Sequence, residues 1–184
     1  MSDLADENIN LAALRRGDPA AFAGLVERHQ PVVLGLCQAM GLRGADRDDA
    51  AAEVFAAVFR SIARFEGRSA VGTWVYRIAC RVIPKVRQRY RKRADEQTDD
   101  LHPDQSQTTP LEQSARNEQD GRIWAAVAML EERSAMAVEM HYRRGMNLEE
   151  VAAVMDCPVG TVKTLLFRAR AKLKEILTRQ EITS

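Results

Sequence analysis

The chain has 184 residues, room for one or two small domains. Its 46% hydrophobic and 29% charged content fits a soluble globular protein. No apolar run approaches a membrane span and the start MSDLADENIN is too acidic and polar for a secretory signal, so a cytoplasmic location is expected. Lys and Arg number 27 against 26 Asp and Glu, so the net charge of +1 does not by itself announce nucleic acid. Cys37, Cys80 and Cys157 are far apart and form no paired metal motif, which predicts reduced structural thiols and no bound cofactor or metal.

In chain order, Asn8 to Arg16 predicts a short helix ended by Gly17. Asp18 as cap and Pro19 at the first helical position mark a second start. Phe22, Leu25, Val26 and His29 share one face, and Pro31 is expected to bend or restart the helix. Gly41 to Ala45 reads as a turn. Asp46 or Asp48 then caps a helix running to about Arg64, with Ala51, Val54, Phe55, Val58 and Ile62 inward. After the loop Phe65 to Arg68, Ser69 caps a helix whose predicted core stripe is Val71, Trp74, Val75, Ile78 and Val82. Pro84 predicts a kink or an early end, because it removes a hydrogen bond and crowds the carbonyl of Cys80.

Charge is distributed in blocks. Tyr76 to Arg93 holds eight basic residues and no acidic one, whereas Ala94 to Asp120 holds eight acidic residues and one basic, Arg116. Ala94 to about Pro110 is poor in large apolar residues and cannot bury enough surface to offset its ordering entropy, which predicts a flexible linker. The expected division is therefore 1–93, a linker over 94–110, and 111–184. Beyond it, helices are predicted over Leu111 to Met129, with Ile123, Trp124 and Val127 inward, and over Glu132 to Arg144. No stretch alternates with period two, so the expected fold class is all-α: two small helical domains joined by a flexible linker.

Two stretches carry chemistry. In RFEGRSAVGTWVYRIACR, Arg64 to Arg81, aromatic and basic residues interleave. With Trp74 toward the core, Tyr76, Arg77, Cys80 and Arg81 are expected to point elsewhere. Such a face suits single-stranded DNA, where bases stack on rings and phosphates meet arginine, and the loop Gly67-Arg68-Ser69 could hold an extruded base. The bland alternative is a set of boundary aromatics and solvated arginines.

The second stretch is NLEEVAAVMDCPVGTVKTLLFRARAKL, Asn147 to Leu173. Asn147 with Glu150 three residues on makes a capping box. Met155-Asp156-Cys157-Pro158 breaks the helix, and Val162, Leu166, Ala169 and Leu173 share one face of the next. From Pro158 to Lys174 there are five basic residues and no acidic one. Helix, tight turn and basic second helix describe a helix-turn-helix whose second helix can enter the major groove. The alternative is an amphipathic hairpin with a solvated basic face.

Taken together and in this order, these stretches resemble an extracytoplasmic-function (ECF) sigma factor over roughly Gly17 to Arg93 and Ile123 to Leu177. The resemblance implies a non-enzymatic transcription initiation factor that binds core RNA polymerase and promoter DNA, with an anti-sigma protein as a further partner and no contact with membrane. It implies −10 recognition by Arg68, Ser69, Thr73, Trp74, Arg77 and Arg81 and −35 recognition by Thr161, Lys163, Thr164 and Arg168. Polymerase binding falls to Asp46, Asp49, Glu53 and Phe55. The chain departs from the family pattern at Ala50-Ala51-Ala52, where Leu-Val-Gln is frequent, at Pro84-Lys85, and at Leu165 and Phe167, where a basic residue and histidine are usual. Two other classes stand beside this reading: a helix-turn-helix regulator or sigma-like protein that does not drive initiation, and a nucleic-acid enzyme, for which no nucleophile–base pair is legible.

Overall fold

The computed structural model describes residues 10–96 and 115–183, all helix and short connection among the described residues. The segment expected to act as linker falls mostly outside them. Helix α1 (Leu11–Arg15) opens the first module, with Asn10 Oδ1 accepting from the Ala13 amide at 3.0 Å. Helix α2 (Pro19–Ala39) starts as the sequence predicts: Asp18 accepts from the Ala21 amide at 2.8 Å and Pro19 occupies the first turn. Pro31 neither ends nor restarts it, and Leu25, His29, Val32, Val33 and Leu36 continue one buried side through it.

Helix α3 (Gly44–Ser61) corrects one expectation. Neither Asp46 nor Asp48 is its cap; the helix begins at Gly44 behind Arg43, whose side chain makes no capping bond. Gly44 has φ of +50°, a conformation that favours glycine, so the backbone itself makes the turn into the helix. The predicted inner face of Ala51, Val54, Phe55, Val58 and Ile62 is buried, and a short 3₁₀ turn (Ile62–Arg64) completes the element.

Helix α4 (Val71–Glu96) is a single helix of 26 residues with Pro84 inside it. The expected early end does not occur. Pro84 leaves one carbonyl without its helical donor, while Ile83 and Val86 on either side are almost fully buried and hold the helix to the core. Good helix formers then carry it through Ala94, so the expected linker start lies inside α4. The core stripe is also rotated from its expected setting. Val71 and Val75 are buried, but Trp74, Ile78 and Val82 are half-buried, and Tyr76, Ala79 and Ile83 are fully enclosed.

The second module comprises α5 (Ala115–Val127), α6 (Glu132–Val138) continued by a π-helical turn (Glu139–Arg143), α7 (Leu148–Met155) and α8 (Val159–Thr183). Val127 points inward as expected and Trp124 is half-buried under the Arg143 guanidinium, 4.7 Å from the ring centre, but Ile123 is exposed. The capping box is complete: Asn147 Oδ1 accepts from the Glu150 amide at 2.8 Å and the Asn147 amide donates to Glu150 Oε2 at 2.9 Å.

The two modules pack against each other. One continuous hydrophobic cluster runs from Leu14 to Ala169 through both. Glu139, fully buried, lies against Gly35 of α2 and pairs with Arg144 at 3.1 Å. Arg144 also donates to the Pro31 carbonyl, and Arg143 donates to Gln38 Oε1 at 3.1 Å.

Candidate nucleic-acid interface

On the first module, the loop after α3 folds into a pocket of about 300 Å³ lined by Arg64, Phe65, Glu66, Arg68, Ser69, Trp74 and Arg77. Its floor is aromatic. The Phe65 and Trp74 rings lie 4.8 Å apart between centres and tilt by 36°. Arg15 of α1 fixes the loop from behind, with Nε donating to the Phe65 carbonyl at 2.9 Å. Gly67 turns the chain at φ +77°, which L side chains rarely adopt. Arg68 stands on the rim, exposed and paired with Glu66, and Ser69 is half-buried beside it. Three guanidinium groups, of Arg64, Arg68 and Arg77, around an aromatic floor can take a planar base by stacking and by its edge.

Not every predicted residue of this face reaches it. Thr73 is only 6% exposed and Tyr76 is fully buried. Tyr76 Oη instead meets His29 Nδ1 at 2.8 Å in the core, which ties α4 to α2 and sets the helix rotation that brings Trp74 and Arg77 to the pocket. Arg81 is exposed four residues beyond Arg77, one turn further along α4. Burial pushes the Cys37 and Cys80 thiols up to about 12, so both stay protonated at neutral pH, and all three cysteines are free.

On the second module, α7 ends at Asp156 in the left-handed conformation (φ 52°), and Pro158 lets α8 begin anew. Val162, Leu165, Leu166 and Ala169 are buried. Leu165, one of the departures from the family pattern, is thus part of the core. The opposite side presents Lys163, Thr164 and Arg168 to solvent, with Thr161 half-buried at the first turn. The Thr164 hydroxyl donates to the Gly160 carbonyl at 2.9 Å, leaving its lone pairs and methyl outward. Phe167 is 68% exposed on this same side, one turn after Lys163 and Thr164. Periodicity points to it, since it lies opposite the apolar stripe, whereas charge counting passes over it.

The predicted polymerase-binding residues fall on two sides of α3. Asp46 and Asp49 are exposed and Glu53 accepts from Arg89 of α4. Burial, and then the Asp49, Asp46 and Glu53 carboxylates of this side, raise the Tyr90 hydroxyl above its ordinary 10. Phe55 lies on the other side. It helps line an apolar groove of about 500 Å³ between α2 and α3, with Phe22, Val26, Leu34, Ala52 and Phe59. Phe59 is half exposed there, and Ala51 and Ala52 are too short to fill the groove.

A base-sized aromatic pocket on one helical module and a helix-turn-helix with an exposed basic face on the other define a DNA-binding transcription factor. Family comparison gives the particular kind. The description "Sigma-70 region 2" matches residues 25–95 and "Sigma-70, region 4" matches 120–173. The chain is 31% identical over 173 residues to RNA polymerase sigma-H factor of Pseudomonas aeruginosa, covering 89% of this chain and 90% of that one. It is 30% identical over 179 residues to the ECF RNA polymerase sigma-E factor of Escherichia coli (strain K12), covering 92% and 93%. The chain therefore belongs to the sigma-70 family, in its ECF branch, whose members direct RNA polymerase to promoters. Its fold is shared with CnrH, solved in complex with the cytosolic domain of CnrY (TM-score 0.68, 22% identity, 92% of this chain and 95% of that one). It is shared equally with the sigma factor RpoE solved with the anti-sigma factor NepR from Bartonella quintana (TM-score 0.66, 22% identity, 85% and 96%).

Proposed function

We propose that the first module reads the −10 element as a melted strand and the second reads the −35 element as duplex, in the cytoplasm and without catalysis by this chain. In this reading a base leaves the stack and lies on Trp74, which the buried Phe65 ring backs, with Arg68 and Ser69 at its edge. Arg77 and Arg81 meet the phosphates that follow. Thr73, being enclosed, supports the start of α4 instead of touching the strand. On α8, Lys163 and Arg168 take phosphate or guanine, Thr161 and Thr164 take phosphate or base edges, and Phe167 suits a thymine methyl. Neither the pocket nor the basic face carries a nucleophile–base pair, which favours recognition over chemistry.

Core polymerase is proposed to seat an apolar helix in the groove beside Phe55 and Phe59, with Asp46 and Asp49 available to a basic surface. The short Ala51 and Ala52 side chains leave room for the partner's own side chains, so the departure from Leu-Val-Gln enlarges the seat. The exposed apolar groove with Phe59 on its edge favours the initiating reading over a stand-alone regulator, whereas the loss of the Leu-Val-Gln contacts is what motivates the alternative. An anti-sigma protein is proposed as a further partner, as for the RpoE relative solved with NepR.

The observation that carries the reading is the joint exposure, in one chain, of the aromatic pocket and of the Lys163–Arg168 side of α8. Run-off transcription with purified core enzyme tests it. Initiation at defined genomic promoters that is abolished by Arg68→Ala or Arg168→Ala is the expected result. A folded protein that leaves core enzyme silent at every promoter overturns it.

A further inference from the structure

The aromatic pocket holds one acid among its arginines. Arg64, Arg68 and Arg77 line it as cations, and Glu66 is the single anion of the lining. In a site for a polyanionic strand this works against affinity, because a carboxylate repels phosphate and offers a base only acceptors. Its simplest role is to anchor Arg68. Arg68 Nε donates to Glu66 Oε2 at 2.5 Å, and Nη2 converges on the same oxygen. Yet the Arg68 and Glu66 side chains are 83% and 63% exposed, and a pair so open to water contributes little to stability. Anchoring alone does not account for a carboxylate at this place.

The backbone on both sides of Glu66 is braced by α1. Arg15 donates to the carbonyl of Phe65, one residue before it, at 2.9 Å. Gly67, one residue after it, turns at φ +77° against α1, where a Cβ would stand 3.7 Å from Leu11 Cδ2. The turn sets Glu66 and Arg68 together on the rim beside Trp74. Because both Arg68 nitrogens converge on Oε2, Glu66 Oε1 and Arg68 Nη1 have no partner among the described residues. The rim therefore offers a base an acceptor next to a donor.

A base taken out of the stack presents its Watson–Crick edge to such a pair. Cytosine, adenine and guanine each carry an exocyclic amino group at the end of that edge. It can donate to a carboxylate while an acceptor of the same base meets a guanidinium. Thymine has no amino group. Its one ring N–H lies between two carbonyl oxygens, and a carboxylate approaching it meets both. We propose that Glu66 selects the base in the pocket by accepting from an exocyclic amino group, so that one position of the −10 strand admits cytosine, adenine or guanine and rejects thymine. The proposal rests on the −10 reading of the pocket given above and adds to it the chemical identity of the base.

The test uses the full chain with core enzyme on a promoter library randomised over the −10 region, each member linked to a transcribed barcode. Wild type is expected to use thymine about tenfold less than the other bases at one −10 position. Glu66→Gln keeps the side chain's size on an exposed rim, and its amide can donate to thymine O4. It is expected to bring thymine within about twofold of the other bases at that position and to leave the −35 preference unchanged. Templates with an unpaired −10 region carrying cytosine, 5-methylcytosine or thymine there separate the amino group from the methyl. 5-Methylcytosine is expected to behave as cytosine; its rejection along with thymine would assign the choice to the methyl and overturn the role of Glu66. An unchanged base profile in a Glu66→Gln holoenzyme that still initiates, or a change shared by all four bases, also overturns it and leaves the sigma-factor reading intact. A Trp74→Ala holoenzyme that keeps the thymine rejection puts base selection outside the pocket and overturns the −10 reading beneath the proposal.

Discussion

Gly35 of α2 has no room for a side chain because Glu139 of the other module fills the place. A Cβ at position 35 would overlap the Glu139 Oε1 and stand 2.9 Å from its carboxyl carbon. Glu139 cannot swing clear, being fully buried between Gly35 and Arg144. Within a helix, Gly→Ala by itself favours the helical backbone by about 1 kcal/mol, so α2 alone does not suffer. Gly35→Ala should therefore cost roughly 1–3 kcal/mol of overpacking at the seam between modules. The expected outcome is a larger radius of gyration with helix content preserved; a compact, unchanged variant would mean that the seam yields locally.

Glu139 makes that seam sensitive to pH. Burial raises its carboxyl above the ordinary 4.5, and Arg143 and Arg144 oppose the shift only in part. A carboxyl with a raised native pKa takes up its proton in the native state before the unfolded one. Its contribution to stability is complete below 4.5 and is lost as pH rises through the raised native value. Glu139→Gln holds a neutral group there at every pH. Urea midpoints of the variant should exceed those of wild type at pH 7, and the gap should close as pH falls toward 4.5. A gap that is constant with pH would exclude titration of Glu139 as its source.

Tyr76→Phe tests how α4 is aimed. The hydroxyl lies 2.8 Å from His29 Nδ1 in a fully buried setting, and removing it strips a buried polar atom of this partner. The expected loss is roughly 1–3 kcal/mol, with the urea midpoint falling and the slope unchanged. Promoter opening should weaken as well, because the same interaction holds the rotation that presents Trp74 and Arg77.

How much of this is legible in the sequence depends on where each signal is stored. The capping box at Asn147 and Glu150, and the Asp18-Pro19 start, are local hydrogen-bond chemistry, and both stand where the sequence puts them. The inner face of α3 follows from periodicity. The rotation of α4 does not, because a stripe through Trp74 and one through Tyr76 are equally periodic and His29, 47 residues away, decides between them. Pro84 misleads for a related reason: the packing of Ile83 and Val86 outweighs one missing helical bond. The seam at Gly35 and Glu139 has no sequence signature. Each residue is unremarked in its own helix, and only their meeting across modules gives either a role.

Trp74→Ala removes the accessible ring of the aromatic floor and leaves only the buried Phe65. Base–aromatic stacking contributes about 1–3 kcal/mol per base, so run-off transcription from a fully paired promoter should fall by about tenfold or more. A template with an unpaired −10 region has already met the cost of unstacking, and on it the deficit should shrink. An equal deficit on both templates would point to damage to the module's fold instead of a missing stacking partner.

The −35 face separates charge from shape within one helix. Lys163 and Arg168 are exposed cations, and each phosphate left without its cation should lower the slope of log affinity against log salt by about 0.9. Lys163→Ala and Arg168→Ala holoenzymes should therefore bind promoter duplex with shallower salt dependence. Phe167 is 68% exposed, so Phe167→Ala should leave thermal stability within about 0.5 kcal/mol of wild type. It carries no charge, so the salt slope should not move either. What should narrow is the affinity gap between the promoter and a duplex with its −35 thymines replaced by cytosine, which lacks the methyl that an aromatic edge can touch. Titrations of the three holoenzymes over a salt series on both duplexes read these outcomes together. A Phe167→Ala variant that weakens both duplexes equally would assign that ring to general groove packing and leave sequence discrimination to Thr164 and Arg168.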